Sequence, residues 1–268
     1  MLDSILFNRM KKNVKPKKKI GQHFLLDNNI ASKIADLVDF KKHKQIVEVG
    51  PGMGALTDHL IHSARKLSII EIDNECIEYL KERYENKELE IISSNFLKYD
   101  LKSYKNNEIL IIGNFPYNIS SQIIFKVIEN RDMVSSLIGM FQKEVAARIC
   151  SNSGTKTYGI LSVLTQLYYD VQINFDVSPN VFKPKPKVNS SVLSLTRKKS
   201  NNIACDEELL FKIVKLSFQQ RRKKIKNSLK KLDIPEVILE DSIFEYRPEQ
   251  LSSSEFIKLT QIISNEPI

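Results

Sequence analysis

The sequence contains little cysteine, and the cysteines present neither pair nor cluster. Cys76, Cys150 and Cys205 lie far apart in the chain, and neither a CxxC motif nor a cluster of His and Cys occurs. An odd number of scattered thiols is typical of reduced cysteines in a cytoplasm, and not of disulfides or a zinc site. We therefore expect a cytoplasmic protein that holds no metal.

Long apolar runs are also missing. No stretch approaches the roughly 20 consecutive apolar residues that a helix needs to cross a bilayer. The first apolar residues, among them Leu2 and Phe7, come before the N-terminal basic charges, which is the wrong order for a secretory signal. With 42% hydrophobic and 27% charged residues, the composition is that of a globular protein. We expect no membrane partner.

Acidic residues are absent from two segments that carry much of the net charge of +9. These segments are RMKKNVKPKKK (9–19) and RRKKIKNSLKK (221–231). Either block alone would be consistent with a solvated face or a frayed tail. Two like-charged blocks repel each other unless a polyanion neutralises them, so together they favour a nucleic acid as the partner. We predict that both blocks contact its phosphates.

Short apolar runs alternate with amphipathic helical stretches along the first two thirds of the chain. The apolar runs are 46–49, 67–72, 89–92, 109–112 and 136–141. This alternation predicts a doubly wound, Rossmann-like α/β sheet of parallel strands with helices on both faces. Two later runs, 171–177 and 189–196, have no helix between them and predict an antiparallel pair at one side of the sheet.

The composition changes over 198–208, which is polar and reads as a linker. Beyond it, 209–232 and 254–264 have a helical pattern, and no strand pattern follows. We therefore predict two domains. Residues 1–200 form the Rossmann-like domain with its basic N-terminal arm, and residues 201–268 form a small all-helical domain that binds nucleic acid.

The first predicted strand leads into a glycine-rich loop, EVGPGMGALTDHL (48–60). Gly50, Gly52 and Gly54 allow the backbone to approach a ligand closely. Their G-x-G-x-G spacing differs from the dinucleotide fingerprint and favours S-adenosyl-L-methionine as the cofactor. Glu71 ends the second strand, where an acid can accept hydrogen bonds from ribose hydroxyls. Three glycines alone would be equally consistent with a structural turn, but the strand, the helix and Glu71 together favour cofactor binding.

Asn95 follows the third strand, at a position where methyltransferases of this class often carry an acid that contacts the adenine amino group. An amide oxygen can accept the same hydrogen bond, whereas its NH₂ group needs another partner. The alternative is that Asn95 is an ordinary turn residue.

The fourth strand ends in NFPY (114–117), at the edge where open α/β folds bind ligands. The exocyclic amine of a nucleobase is a poor nucleophile because its lone pair is delocalised into the ring. The side-chain oxygen of Asn114 and the carbonyl of Pro116 would accept its N–H groups and aim the lone pair at the methyl donor. Tyr117 would stack on an extruded base. The pattern thus predicts methylation of an amino group on a planar base, with no need for a strong general base.

The motifs GQHFLLD, EVGPGMGALT, EID, NFPYNISS and VFKPKPKVNSSV occur in this order. Together they resemble the ribosomal RNA adenine dimethylase family, and most closely its bacterial kasugamycin-sensitivity branch. The resemblance runs from about residue 17 to the end, and the combination is specific although each motif alone is weak. It implies N6,N6-dimethylation of two adjacent adenosines near the 3′ end of 16S ribosomal RNA in the small ribosomal subunit, as part of subunit maturation. We expect the enzyme to act as a monomer.

The resemblance also assigns roles to residues that spacing alone does not identify. It implies that the cofactor is surrounded by His23, Leu25, Gly50, Glu71, Asn95 and Asn114. It further implies that Phe182 is a second base-stacking ring, opposite Tyr117. The sequence departs from the family pattern at two positions, because Phe115 replaces a Leu or Ile and Asn95 replaces an Asp.

Two other functions compete with this one. The nearest is the antibiotic-resistance branch, which modifies 23S ribosomal RNA, but QQRRKKIKNSL and RPEQLSSSEF resemble the 16S branch. The other is a ribosome-assembly factor whose catalysis is vestigial. The intact set of Asn114, Pro116, Tyr117, Gly50 and Glu71 argues against it, since pure binding needs no methyl-donor pocket.

Overall fold

A computed structural model describes residues 14–104, 108–199 and 203–264 of the protein. The chain divides into two compact units. The first unit is the described part of Met1–Lys143 together with Ile173–Ser194, and the second is the described part of Glu144–Gln172 together with Leu195–Ile268. The predicted domain boundary, between residues 200 and 201, lies outside the described residues and stays a prediction.

The strands of the described residues form one large sheet and one small one. They are β1 (Phe24–Leu25), β2 (Gln45–Val49), β3 (Lys66–Glu71), β4 (Glu90–Ser93), β5 (Ile109–Asn114), β6 (Val134–Gln142), β7 (Tyr169–Val177), β8 (Phe182–Lys183) and β9 (Ser190–Arg197). The large sheet has the order β4-β3-β2-β5-β6-β9-β7, and its first five strands pair in parallel. The predicted α/β fold is confirmed, and the two later runs are neighbours at one edge of the sheet.

Helices connect the strands and make up most of the C-terminal region. They are α1 (Asn28–Ala35), α2 (Thr57–Leu60), α3 (Asn74–Arg83), α4 (Ser120–Glu129), α5 (Lys143–Ile149), α6 (Ile160–Tyr168), α7 (Glu207–Gln219), α8 (Ile225–Ser228), α9 (Glu236–Leu239) and α10 (Ser253–Ser264). Asp27, Asp73 and Asp206 cap α1, α3 and α7 by accepting backbone N–H groups. Within the described parts of the chain, every helix is too short or too polar to cross a membrane.

The centre of the sheet is apolar because helices cover both of its faces. β2 is buried along its whole length, and β5 is buried up to Gly113. Val49 pairs with Ile70 of β3, and Glu48 pairs with Ile112 of β5. Since these strands run in parallel, their carboxyl ends lie at the same edge of the sheet. The loops that follow them therefore converge.

A short antiparallel ladder joins two distant parts of the first unit. Phe24 pairs with Lys183, and Leu25 pairs with Phe182. The ladder continues where the Leu26 amide donates to the Val181 carbonyl at 2.8 Å. These contacts bring the segment before α1 beside the segment that follows β7.

In the second unit, the helical pattern over 209–232 corresponds to more than one helix. α7 ends at Gln219, and the chain turns where the amide of Lys223 donates to the carbonyl of Gln220 at 2.7 Å. Arg221 is held at this turn by Glu249, with 2.6 Å between Nε and Oε2. The break depends on a partner distant in the chain, which a helical pattern cannot reveal.

Candidate active site

A cavity of about 190 Å³ lies at the carboxyl ends of β2, β3 and β5, within the first unit. Its lining includes the predicted residues His23, Leu25, Gly50, Gly52, Glu71, Asn95, Asn114, Pro116 and Tyr117. The structure therefore brings together every residue predicted for the site except Phe182. Such a crevice beyond the carboxyl ends of parallel strands is where open α/β sheets bind ligands.

The glycine loop between β2 and α2 needs its glycines for different reasons. Gly50, Gly52 and Gly54 all have φ between 58° and 82°, a region that disfavours residues with a Cβ. A Cβ on Gly52 would lie 2.9 Å from the Phe24 ring, and one on Gly54 would lie 2.4 Å from Tyr84 Oη. At Gly50 a Cβ would meet no atom within 4 Å, so this backbone faces open space. Gly50 thus presents bare backbone where a ligand can approach.

Glu71 ends β3 with a carboxylate that is only 4% exposed. Oε1 accepts the backbone N–H groups of Ile72 (2.8 Å) and Asp73 (2.9 Å), and Oε2 accepts that of Gly52 at 3.2 Å. Burial raises the pKa of Glu71, while these three hydrogen bonds act in the opposite direction. An ionised carboxylate has about four acceptor positions, so Oε2 retains room for a ligand hydroxyl.

Asn95 forms the turn that follows β4. Its Oδ1 accepts the backbone N–H of Leu97 at 2.9 Å, and its carbonyl accepts that of Tyr99 at 2.9 Å. An amide oxygen has a second lone pair, which is still able to accept a hydrogen bond from the cavity. The arrangement fits the turn role and leaves the predicted contact with an adenine amino group as a prediction.

Asn114 is oriented by a hydrogen bond that only the folded chain provides. Its Nδ2 donates to the carbonyl oxygen of His23 at 2.8 Å. With the NH₂ group engaged there, Oδ1 is the atom left to accept from a ligand. The carbonyl of Pro116 accepts the Ile119 amide at 3.1 Å and retains its second lone pair. Two acceptors therefore lie at the end of β5.

The aromatic residues predicted to stack on a base differ in their surroundings. The Tyr117 ring lines the cavity and stacks on the His23 imidazole, with centroids 5.4 Å apart. Phe182 is 4% exposed, belongs to the apolar core and is not among the residues that line the cavity. The pairing of Phe182 opposite Tyr117 remains a prediction.

The family departure at Phe115 has a packing reason. The Phe115 ring is 1% exposed and lies 5.2 Å from the ring of Phe141. A Cβ on Gly139 would come within 2.0 Å of the Phe115 ring. The glycine in β6 therefore makes room for a ring that is bulkier than the usual Leu or Ile.

Two groups of polar residues beside the cavity were not predicted from the sequence. Glu48, in β2, is 1% exposed and accepts a hydrogen bond from the Thr57 hydroxyl at 2.6 Å. Asp73 accepts from Gln22 Nε2 at 3.0 Å and pairs with Lys17 Nζ. Glu48 stands in the EVG motif and Asp73 caps α3, so the sequence marked both positions as notable. It did not indicate the residues to which they are hydrogen-bonded.

Part of the N-terminal basic block is ion-paired, and part lies outside the described residues. Residues 9–13 are not described. Lys17 pairs with Asp73 and with Glu75, whose carboxylate is 3.0 Å away. Its charge is thus already partly neutralised within the protein.

The C-terminal basic block combines paired and exposed cations. Arg221 pairs with Glu249, and both Lys224 and Lys226 pair with Glu245. Among the residues that the structure describes, the block members without an acidic partner are Arg222, Lys223, Lys230 and Lys231. These four exposed side chains are the ones available to an external polyanion.

The match to a known family covers most of the chain. Residues 13–252 match the family model described as Ribosomal RNA adenine dimethylase. The chain belongs to this family. It is therefore an enzyme, a ribosomal RNA adenine dimethyltransferase, and the resemblance drawn from the motifs is confirmed. In the described residues no group of three or more His, Cys, Asp or Glu is placed to hold a metal ion.

Relatives within the family are similar over nearly their whole length. The chain is 52% identical over 256 residues to Ribosomal RNA small subunit methyltransferase A of Flavobacterium johnsoniae, covering 95% of this chain and 98% of the relative. It is 49% identical over 253 residues to the protein of the same name from Bacteroides thetaiotaomicron, covering 93% and 94%.

Two solved structures of methyl-transferring enzymes share the fold. A dimethyladenosine transferase from Plasmodium falciparum superposes with a TM-score of 0.78 at 28% identity, covering 88% of this chain and 96% of that one. The 23S rRNA methyltransferase ErmE superposes with a TM-score of 0.65 at 25% identity, covering 90% and 99%. As a methyltransferase of this family, the protein uses a methyl donor of the S-adenosylmethionine type.

Proposed function

We propose that this dimethylase transfers methyl groups from S-adenosyl-L-methionine to N6 of two adjacent adenosines near the 3′ end of 16S ribosomal RNA, in the small ribosomal subunit. The observation that carries the proposal is the orientation of Asn114. Its NH₂ group is held by the His23 carbonyl at 2.8 Å, so its oxygen is left to accept from a target amine. The same cavity holds Gly50 and Glu71, which fit a methyl donor. The small-subunit assignment is supported by the names of relatives up to 52% identical.

The residues at the carboxyl edge would hold the methyl donor. When bound, S-adenosyl-L-methionine supplies an electrophilic methyl group on a sulfonium. Glu71 Oε2 would accept a ribose hydroxyl, and the bare backbone at Gly50 would allow close approach. Gly52 would hold Glu71 in place through its backbone N–H. His23, Leu25 and Asn95 would complete the binding surface.

The end of β5 would hold the target base. Asn114 Oδ1 and the Pro116 carbonyl would accept hydrogen bonds from the two N–H groups of the adenine amine. These bonds favour a pyramidal nitrogen whose lone pair points at the methyl donor. Stacking on Tyr117 would contribute about 1–3 kcal/mol per base. Phe182, which is buried, would supply the second ring.

The exposed cations of the second unit would bind the RNA backbone. Arg222 and Lys223 follow α7, and Lys230 and Lys231 follow α8, so they present charge on one short stretch of chain. Phosphate contacts provide affinity without base specificity, so they suit a substrate recognised by shape. In this proposal the enzyme acts as a monomer in the cytoplasm.

Radiolabelled methyl transfer tests the proposal. Small and large ribosomal subunits are purified from a strain that lacks the modification and are incubated with labelled S-adenosyl-L-methionine. We expect label in small subunits alone, recovered as N6,N6-dimethyladenosine. Label in large subunits would support the activity named for ErmE, to which the chain is 25% identical. Binding to small subunits without label would indicate an assembly factor.

A further inference from the structure

The Tyr117 ring is held in place by groups from outside its own turn. Tyr117 opens a short turn, Tyr117–Ile119, and is only partly buried. A partly exposed tyrosine can populate several rotamers, and a platform for a base requires one of them. Two side chains from distant parts of the first unit restrict the ring.

The first of these side chains is Ser190, which begins β9 and is fully buried. Its Oγ lies 2.6 Å from Tyr117 Oη. Burial raises the pKa of the Tyr117 phenol, and the hydrogen bond with Ser190 acts in the opposite direction. Ser190 itself is not among the residues that line the cavity.

The start of β9 is itself anchored on both sides of Ser190. The Lys143 amide donates to the Asn189 carbonyl at 2.9 Å, and the Ser191 hydroxyl donates to Asp176 Oδ1 at 2.6 Å. Successive side chains of a strand point to opposite faces, which places the two neighbouring hydroxyls on different partners. The backbone around Ser190 is thus held in place, and Ser190 in turn holds the Tyr117 hydroxyl through their hydrogen bond.

The second side chain is His23, which restricts the face of the Tyr117 ring. The two rings stack with an angle of 26° between their planes, a favourable geometry for an aromatic contact. His23 Nδ1 lies 2.6 Å from the Pro184 carbonyl oxygen, which can only accept, so Nδ1 carries the proton. The imidazole is therefore held by its edge while its face supports Tyr117.

We propose that Ser190 is a positioning residue that, together with the His23 ring, fixes Tyr117 in the plane on which the target adenine stacks. The proposal rests on the proposed function, since it assumes that Tyr117 receives the base. Ser190 acts only through Tyr117 and contacts neither the base nor the methyl donor. Its loss should therefore impair methyl transfer and leave cofactor binding unchanged.

The test is a double-mutant cycle with a matched control. Ser190→Ala and Tyr117→Phe each remove one side of the hydrogen bond, and Tyr117→Phe keeps the ring. We expect each variant to lower kcat on small subunits by about tenfold, as the loss of one buried hydrogen bond predicts. The double variant should be no slower than either single variant. Ser194→Ala, the same change farther along β9, removes a hydroxyl that accepts from Asn174 Nδ2 at 2.7 Å and should keep the wild-type kcat.

Thermal melting and calorimetry with S-adenosyl-L-methionine accompany each variant and establish folding and cofactor affinity. Equal kcat for Ser190→Ala and Ser194→Ala would overturn the proposal, and so would losses that multiply in the double variant. If Ser190→Ala fails to fold, full activity of Tyr117→Phe would overturn it as well. Each of these outcomes would overturn only the role of Ser190, and the proposed function would stand if the wild type is active and Tyr117→Ala is inactive. A wild type that labels no small subunits would refute the proposed function itself.

Discussion

Glu48→Gln should make the protein more resistant to unfolding at alkaline pH. Glu48 lies in the central strand β2 and is only 1% exposed. Burial raises the pKa of Glu48 to about 8, and the charges of Asp58 and Glu71 add to the effect, whereas the hydrogen bond from Thr57 opposes it. The folded protein therefore holds a neutral carboxyl group at neutral pH, and glutamine imitates this group in shape and charge.

The sign and size of the effect follow from proton linkage. A carboxyl group with a pKa raised by folding stabilises the folded state fully below its unfolded pKa of 4.5, and this stabilisation is lost as pH rises through about 8. Between pH 6 and pH 9, the loss from Glu48 amounts to about 2–3 kcal/mol in the free energy of unfolding. Glu48→Gln has no proton to lose and should not show this component.

Urea unfolding at pH 6 and pH 9, without cofactor and followed by circular dichroism, measures the difference. The unfolding midpoint of the wild type should fall more steeply with pH than that of Glu48→Gln. Glu85→Gln removes a carboxylate from an exposed site and serves as the matched control, which should follow the wild type. Parallel pH dependence in wild type and Glu48→Gln would refute the assignment of a raised pKa to this buried group.

The remaining predictions concern the site and the basic block. Asn114→Ala should lower methyl transfer by about 100-fold or more while the calorimetric Kd for the cofactor stays within about tenfold; near-normal turnover would remove Asn114 from catalysis. Glu71→Ala should weaken cofactor binding by about 1.5–3 kcal/mol for each lost ribose bond, and because burial raises its pKa, wild-type binding should weaken as pH falls and the carboxylate protonates. Unchanged calorimetric affinity would contradict the role of Glu71. Arg222→Gln combined with Lys223→Gln should reduce the slope of log affinity against log salt by about 0.9 per lost duplex phosphate contact. Parallel slopes and equal affinities for small subunits would make these cations a solvated surface.

The parts of the fold that follow from local pattern were predictable. Buried apolar runs separated by amphipathic stretches admit few arrangements other than a parallel sheet with crossover helices, because both sheet faces must be covered. Parallel strands also share one carboxyl edge, so Gly50, Glu71 and Asn114 were expected to meet there. The structure places all three around one cavity. Motif order was sufficient to identify the family, which the family match confirms.

Contacts between distant segments were not predictable, since their partners are set by the tertiary fold. The helical pattern over 209–232 continues through Gln220, yet the chain turns there, where Arg221 meets Glu249. The sequence likewise offers no sign that Ser190, 73 residues from Tyr117, is its hydrogen-bond partner.

The amino-acid sequence by itself determined which functional motif follows which strand. The glycine loop, the acid predicted to bind the ribose and the tetrapeptide predicted to bind the amine each come at the end of a strand. Only the tertiary structure decided how these groups point. The His23 carbonyl selects which atom of the Asn114 amide faces the cavity, and the β1–β8 ladder leaves Phe182 buried. The physical reason is that secondary structure depends on neighbours in sequence, whereas side-chain orientation in a site depends on hydrogen-bond partners that folding brings from elsewhere.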